Sequence, residues 1–204
     1  MCIRDRIEAD HVVLAVPPSL AVQRIDFGDG LDSSVADIAA ETPVWMGATI
    51  KIVAVFERAF WRDSGLAGAA FSHEGPMSEI HDMSGPGGKP AALFGFCSIS
   101  PATSVPTEDD IRNQLGALFG PEGENATEIY LQDWRKEIHT SSLSTLKLSN
   151  YETYGHPEFQ QPAMSGRLHW ASTETSPIAP GHVEGALVAG TRAAHAILGD
   201  LRSL

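Results

Sequence analysis

Two stretches of this sequence hold side chains suited to binding a ligand or assisting a reaction. The first is Ser172-Thr173-Glu174-Thr175, followed by Gly181-His182-Val183-Glu184-Gly185. Small residues and a glutamate close a strand, and a short loop leads to a helix that opens on glycine. Such a helix start offers unpaired N–H groups and the positive end of a dipole, which draw a negatively charged ligand atom. Glu174 can accept hydrogen bonds from ligand hydroxyls. Gly181, Gly185 and Gly190 leave one side thin enough for a flat ligand or another backbone. The second stretch holds Lys51, a single lysine inside the apolar run from Met46 to Phe56. Taken alone, a strand lysine reads as a solvated charge. Metal chemistry finds no support. His73 and His81 lie in loop-rich sequence, no His-Glu-x-x-His occurs, and Cys2 and Cys97 form no CxxC pair. Cys97, among Phe94, Phe96 and Ile99, reads as a buried thiol.

Elements must position these residues. The continuous apolar run from His11 to Val16 predicts a strand buried on both faces, stopped by Pro17-Pro18. Ser33 is placed to cap a short helix over 34–40. Alternation from Met46 to Phe56 predicts a long strand, and shorter runs at 67–72, 78–83 and 91–98 complete an antiparallel block. Thr107 and Asp110 form a capping box before Ile111, Leu115, Leu118 and Phe119 at helical spacing, with Gly120 to end the helix. Strands follow at 127–134 and 167–171, separated by a polar loop. Val183, Ala186, Leu187, Ala194, Ile197, Leu198 and Leu201 predict an apolar stripe on a closing helix over 181–201.

Bulk properties set the outer limits. The chain has 204 residues, 43% hydrophobic and 20% charged, as in an ordinary globular protein. Disorder, collagen and coiled coil are disfavoured. No run approaches the ~20 apolar residues that span a bilayer. With Lys+Arg 14 against Asp+Glu 26, the net charge is −12, which argues against generic nucleic-acid binding. Two cysteines fit a reducing cytoplasm.

The segment around Glu174 resembles the C-terminal FAD-binding motif of the flavin amine oxidases. That family includes monoamine oxidases, polyamine oxidases and L-amino-acid oxidases. Three further stretches agree in order: Ala15-Val16-Pro17-Pro18, Gly47 to Lys51 with Phe60-Trp61 downstream, and Trp134. The resemblance covers nearly the whole chain. It implies a mixed α+β / α/β fold, in which a mostly antiparallel substrate-domain sheet is inserted into a partial Rossmann-like FAD-binding domain. The expected boundaries are 1–20 and 165–204 for the FAD part and 21–164 for the substrate part. Ala15, Val16, Pro17, Ser172, Glu174, Thr175, His182 and Val183 would contact FAD. Lys51 would be the catalytic lysine, holding a water near the flavin and helping oxygen reoxidise it. Trp134, Ser144 and His182 would line the substrate.

The implied reaction oxidises a small-molecule amine to an imine, with oxygen giving hydrogen peroxide. The loop from His139 to Ser144 contains no cysteine, so FAD is expected to be noncovalent. Ser144 and His182 stand where monoamine oxidases place two aromatic rings. No Gly-x-Gly-x-x-Gly turn occurs, so the chain is expected to be the C-terminal part of a larger enzyme. A desaturase or protoporphyrinogen-oxidase-like enzyme, or a non-catalytic remnant, are the alternatives. A homodimer is left open.

Overall fold

A computed structural model describes residues 6–44, 46–97, 104–141 and 151–201. In chain order the elements are β1 (Val12–Leu14), α1 (Pro18–Arg24), α2 (Ser33–Glu41), β2 (Ile50–Phe56), α3 (Phe60–Asp63), β3 (Ala70–Phe71) and β4 (Glu79–Asp82). There follow β5 (Ala91–Cys97), α4 (Glu108–Phe119), β6 (Glu128–Asp133), β7 (Leu168–Trp170) and α5 (Val183–Leu201). They form two units. One is continuous, residues 46–138, and the other joins 1–45 to 139–204.

The continuous unit is a five-stranded sheet in the order β3-β4-β5-β2-β6, antiparallel throughout. Alternation along β2 sends Ile50, Ile52, Ala54 and Phe56 inward. They pack with Trp61, Met77, Ile80 and Leu93, and with Ile111 and Leu115 of α4. Each fully buried Ile or Leu contributes roughly 1.5–3 kcal/mol. The expected capping box is present: Thr107 Oγ1 accepts from the Asp110 N–H at 3.2 Å, and Asp110 Oδ2 accepts from the Thr107 N–H at 2.9 Å. Gly120 closes α4 at φ 90°. On the opposite face, the pairings align Gln132, Lys51, Phe96, Glu79 and Phe71 in one row across all five strands.

In the discontinuous unit, β1 pairs with β7 in parallel, Val12 opposite Leu168 and Leu14 opposite Trp170. Ala21, Val35 and Ala39 from α1 and α2 share a core with Phe159, Leu168 and Trp170. This packing carries residues 21–44 and 151–164 into the discontinuous unit, beyond the expected boundaries at 20 and 164.

Several expectations need correction. β1 is shorter than 11–16, and Val12 and Val13 are each 47% exposed rather than buried on both faces. Among the described residues, β7 alone pairs with it. Pro17-Pro18 stops the strand but also starts α1, with Pro18 in its first turn, where a missing N–H costs nothing. Asp32, not Ser33, occupies the cap of α2, and it makes no side-chain capping bond. β2 begins at Ile50 because 46–48 form a turn with Met46 at φ 57°. The apolar stripe expected on α5 faces outward, with Val183, Leu187 and Leu198 exposed. The buried side is Gly185, Ala189 and Ala193. Small residues let the helix lie close, and a Cβ on Gly185 would run into the carbonyl oxygen of Ala179.

Candidate functional site

In the continuous unit the site is built around Lys51. Its place on β2 turns it to the face opposite the core. Nζ lies 5.8 Å from the centroid of Phe96 and 5.4 Å from that of Trp134, within cation–π range. Among the described residues no carboxylate forms an ion pair with it. Trp134 is held from below. Its N–H donates to the Thr49 carbonyl at 3.2 Å, and the neighbouring Asp133 is buried under a two-point fork from Arg135, with both bonds at 2.8 Å. That fork holds the Asp133 carboxyl below the usual carboxylate range. The indole Nε1 of Trp134 is buried with no acceptor.

In the discontinuous unit the parallel pair ends at Leu14 and Trp170, and the Ala171 N–H donates to the Leu14 carbonyl at 2.8 Å. The carboxyl edge of a parallel sheet is where α/β folds bind ligands. Here that edge brings 15–17 together with the turn at 172–175. Thr173 Oγ1 donates to the His182 carbonyl at 2.7 Å, which ties the turn to the start of α5. Glu174 is 3% exposed. Ser172 Oγ is buried with no partner. Ala15, Val16, His182 and Val183 are exposed, and Pro17 is half-buried. Ser144 lies outside the described residues.

A clamp that sequence reasoning missed fixes this turn. Arg192 of α5 donates to the carbonyl of Trp170 at 2.7 Å, to Gln160 Oε1 at 2.6 Å and to Thr175 Oγ1 at 3.2 Å. Gln160 Nε2 donates to the Thr175 carbonyl at 2.8 Å, and the Gly155 N–H to the Glu174 carbonyl at 2.9 Å. Gly155 sits at φ 64° with the backbone of Ser176 and Pro177 against it, so a side chain there would clash. Burial lowers the Arg192 pKa, and burial together with the Glu174 charge raises that of Tyr154. A signal was available: Arg192 interrupts a helix face of glycine and alanine.

A family model described as flavin-containing amine oxidoreductase matches residues 3–198. The chain belongs to this family. It is 29% identical over 204 residues to a putrescine oxidase of Kocuria rosea, covering 95% of this chain and 41% of the relative. It is 28% identical over 208 residues to the flavin-containing amine oxidase B of Sus scrofa, covering 94% of this chain and 38% of the relative. The solved cyclohexylamine oxidase of Brevibacterium oxydans superposes with a TM-score of 0.81 at 27% identity, covering 99% of this chain and 45% of that one. This family member therefore spans about two fifths of the length of the curated relatives it matches. Among its described residues, no helix is long and apolar enough to cross a membrane.

Proposed function

We propose that this chain is the substrate-binding and flavin-facing part of an FAD-dependent amine oxidase, which converts an amine to an imine and oxygen to hydrogen peroxide. The observation that carries the reading is Lys51. A cation with no carboxylate partner among the described residues, held on an open sheet face by two aromatic rings, is available to a reacting group. Relatives named as amine oxidases support the same direction.

The residues of the discontinuous unit fit a flavin dinucleotide. Ser172 Oγ is a buried polar atom without a partner. Glu174 adds a carboxylate in the same turn, and Gly185 lets α5 pack against the Ala179 carbonyl beside it. The exposed start of α5 provides the Val183 N–H for the electron-rich edge of the ring; the expected His182 N–H instead donates to the Ala179 carbonyl at 3.2 Å. When bound, FAD would supply the two-electron acceptor for the amine carbon, with oxygen as the final oxidant. Lys51 holds a water at Nζ and places positive charge where oxygen gains electrons. Trp134 is the candidate substrate-lining residue of the continuous unit, and His182 that of the discontinuous unit. In this reading the discontinuous unit contributes the Rossmann-like FAD part, and FAD is noncovalent because 139–144 lacks cysteine. A cytoplasmic location and a longer parent chain with a Gly-x-Gly-x-x-Gly turn complete it.

The test is stopped-flow kinetics on the flavin-loaded enzyme. Lys51→Met should slow reoxidation by oxygen roughly a hundredfold or more while slowing reduction by amine far less. Equal effects on the two half-reactions, or none on reoxidation, overturn the assignment.

A further inference from the structure

We propose that the cavity between α4 and the loop after β3, on the core side of the sheet, binds a small organic cation with a flat apolar body and an amidinium or guanidinium head. The site is separate from Lys51 and stands whether or not Lys51 serves an oxidase.

The cavity has a volume of about 720 Å³, within the range of small-molecule sites. Its lining residues all belong to the continuous unit. Strand alternation puts it on the face away from Lys51. Cys97, at its floor, pairs with Ile50 and shares the inward side, while Lys51, one residue along, points outward. The sheet therefore stands between the two places.

The walls are fixed from within. Gln114 of α4 is 6% exposed. It accepts from the Met77 N–H at 2.8 Å and donates to the carbonyls of Glu74 and Met77, both at 2.7 Å. These bonds hold the loop at a set distance from the helix, and a Cβ on Gly75 would run into the Gln114 side chain. A loop already fixed loses little freedom when a ligand binds.

Charge selects a cation. Glu74 and Asp110 are exposed carboxylates on the lining, and among the described residues no lysine or arginine joins them. Glu108 and Asp109 add negative charge in the same helical turn. Arg112 is turned away, to the carbonyls of Glu124 and Ala126. Asp110 Oδ2 serves the capping box. Among the described residues, nothing engages its Oδ1, the Glu74 carboxylate or the Asn113 amide. A planar amidinium or guanidinium matches a carboxylate through two parallel N–H···O bonds. Further in, Pro76 and Pro106 are half-buried. The free Cys97 thiol is 2% exposed, and among the described residues it has no hydrogen-bond partner. Such a thiol acts as a small apolar group with a weak donor, which suits the body of the ligand rather than its head.

The probes are benzamidine and its neutral counterpart benzamide, titrated into the full chain by calorimetry. Neither carries an amine on a saturated carbon, so neither is a substrate of the reaction proposed above. The wild type should bind benzamidine several-fold more tightly than benzamide. Glu74→Gln should weaken benzamidine roughly threefold to fivefold and leave benzamide unchanged. Ala117→Phe, which fills the cavity from an exposed helix position, should abolish binding of both. Lys51→Met should bind both as the wild type does. No binding of benzamidine, equal affinity for the two probes, undiminished benzamidine binding in Glu74→Gln or Ala117→Phe, or its loss in Lys51→Met overturns the proposal.

Discussion

Removing the Arg192 guanidinium should loosen the turn that carries Glu174, and the cost can be worked from its bonds. Arg192→Met keeps much of the apolar stem and deletes the head. The two short bonds, to the Trp170 carbonyl and to Gln160 Oε1, are lost. Trp170 is 1% exposed, so water does not easily replace the donor, and an unsatisfied buried carbonyl costs about 1–3 kcal/mol. The Gln160 bond adds about 1 kcal/mol. Thr175 loses less, because Gln160 still donates to its carbonyl. Part of the loss returns, since burying the guanidinium was itself unfavourable. The net expectation is about 2–3 kcal/mol, with Arg192→Lys between the variant and the wild type. Urea unfolding followed by circular dichroism measures it as a fall in midpoint at constant slope. A change below about 0.5 kcal/mol, the level of an ordinary surface substitution, would refute the clamp.

Three further outcomes follow from the same geometry. Asp82 is pushed up by burial, but hydrogen bonds from Arg62, Trp61 and Ser84 outweigh this and hold its carboxyl well below the usual carboxylate range. A depressed folded value gives stability that is complete above the unfolded pKa of about 3.9 and lost as pH falls further. Asp82→Asn should therefore remove roughly 2 kcal/mol at pH 7 and flatten the acid limb, and an acid limb parallel to the wild type's would contradict it. Burial pushes the Cys97 thiol up to about 11, so peptide mapping after iodoacetamide at pH 8 should show Cys97 modified roughly a hundredfold more slowly in the native than in the unfolded chain; comparable rates would sink the prediction. Thr107→Ala removes the hydroxyl side of the capping box, leaving the backbone N–H at 107 to donate to Asp110, and should cost about 1 kcal/mol, measured by thermal unfolding; an unchanged Tm counts against it.

Features encoded within a few residues were legible in the sequence. The α4 cap could be read because Thr107 and Asp110 are one turn apart. The β2 alternation could be read because each residue's neighbours declare the period. The core face of α5 could not, because its buried side is glycine and alanine while Leu187 and Leu198 face outward. The small side was set by how closely the helix must approach the segment after β7, which no local pattern records. Pro18 was ambiguous in the same way: the residue that ends a strand also suits the first turn of a helix. At the site, the Glu174 segment announced itself as a contiguous motif. The clamp from Arg192 and Gln160 did not, since its donors come from other elements. Lys51 was visible, but its rings come from β5 and from the turn after β6, and only strand register brings them beside it.

The pairing of β1 with β7 also sets a timetable. His11 and His169, 158 positions apart, end with ring nitrogens 3.2 Å from each other. On a ribosome adding about 5–20 residues per second, β1 emerges on the order of ten seconds before its partner exists. Throughout that wait Val12 and Val13 are a bare, β-branched edge, open to chaperones or to neighbouring nascent chains. The continuous unit meets no such delay, since every strand it needs lies between residues 46 and 138. Synthesis thus orders the assembly from the middle outward, and the turn at 172–175 is among the last parts of the described chain to take shape.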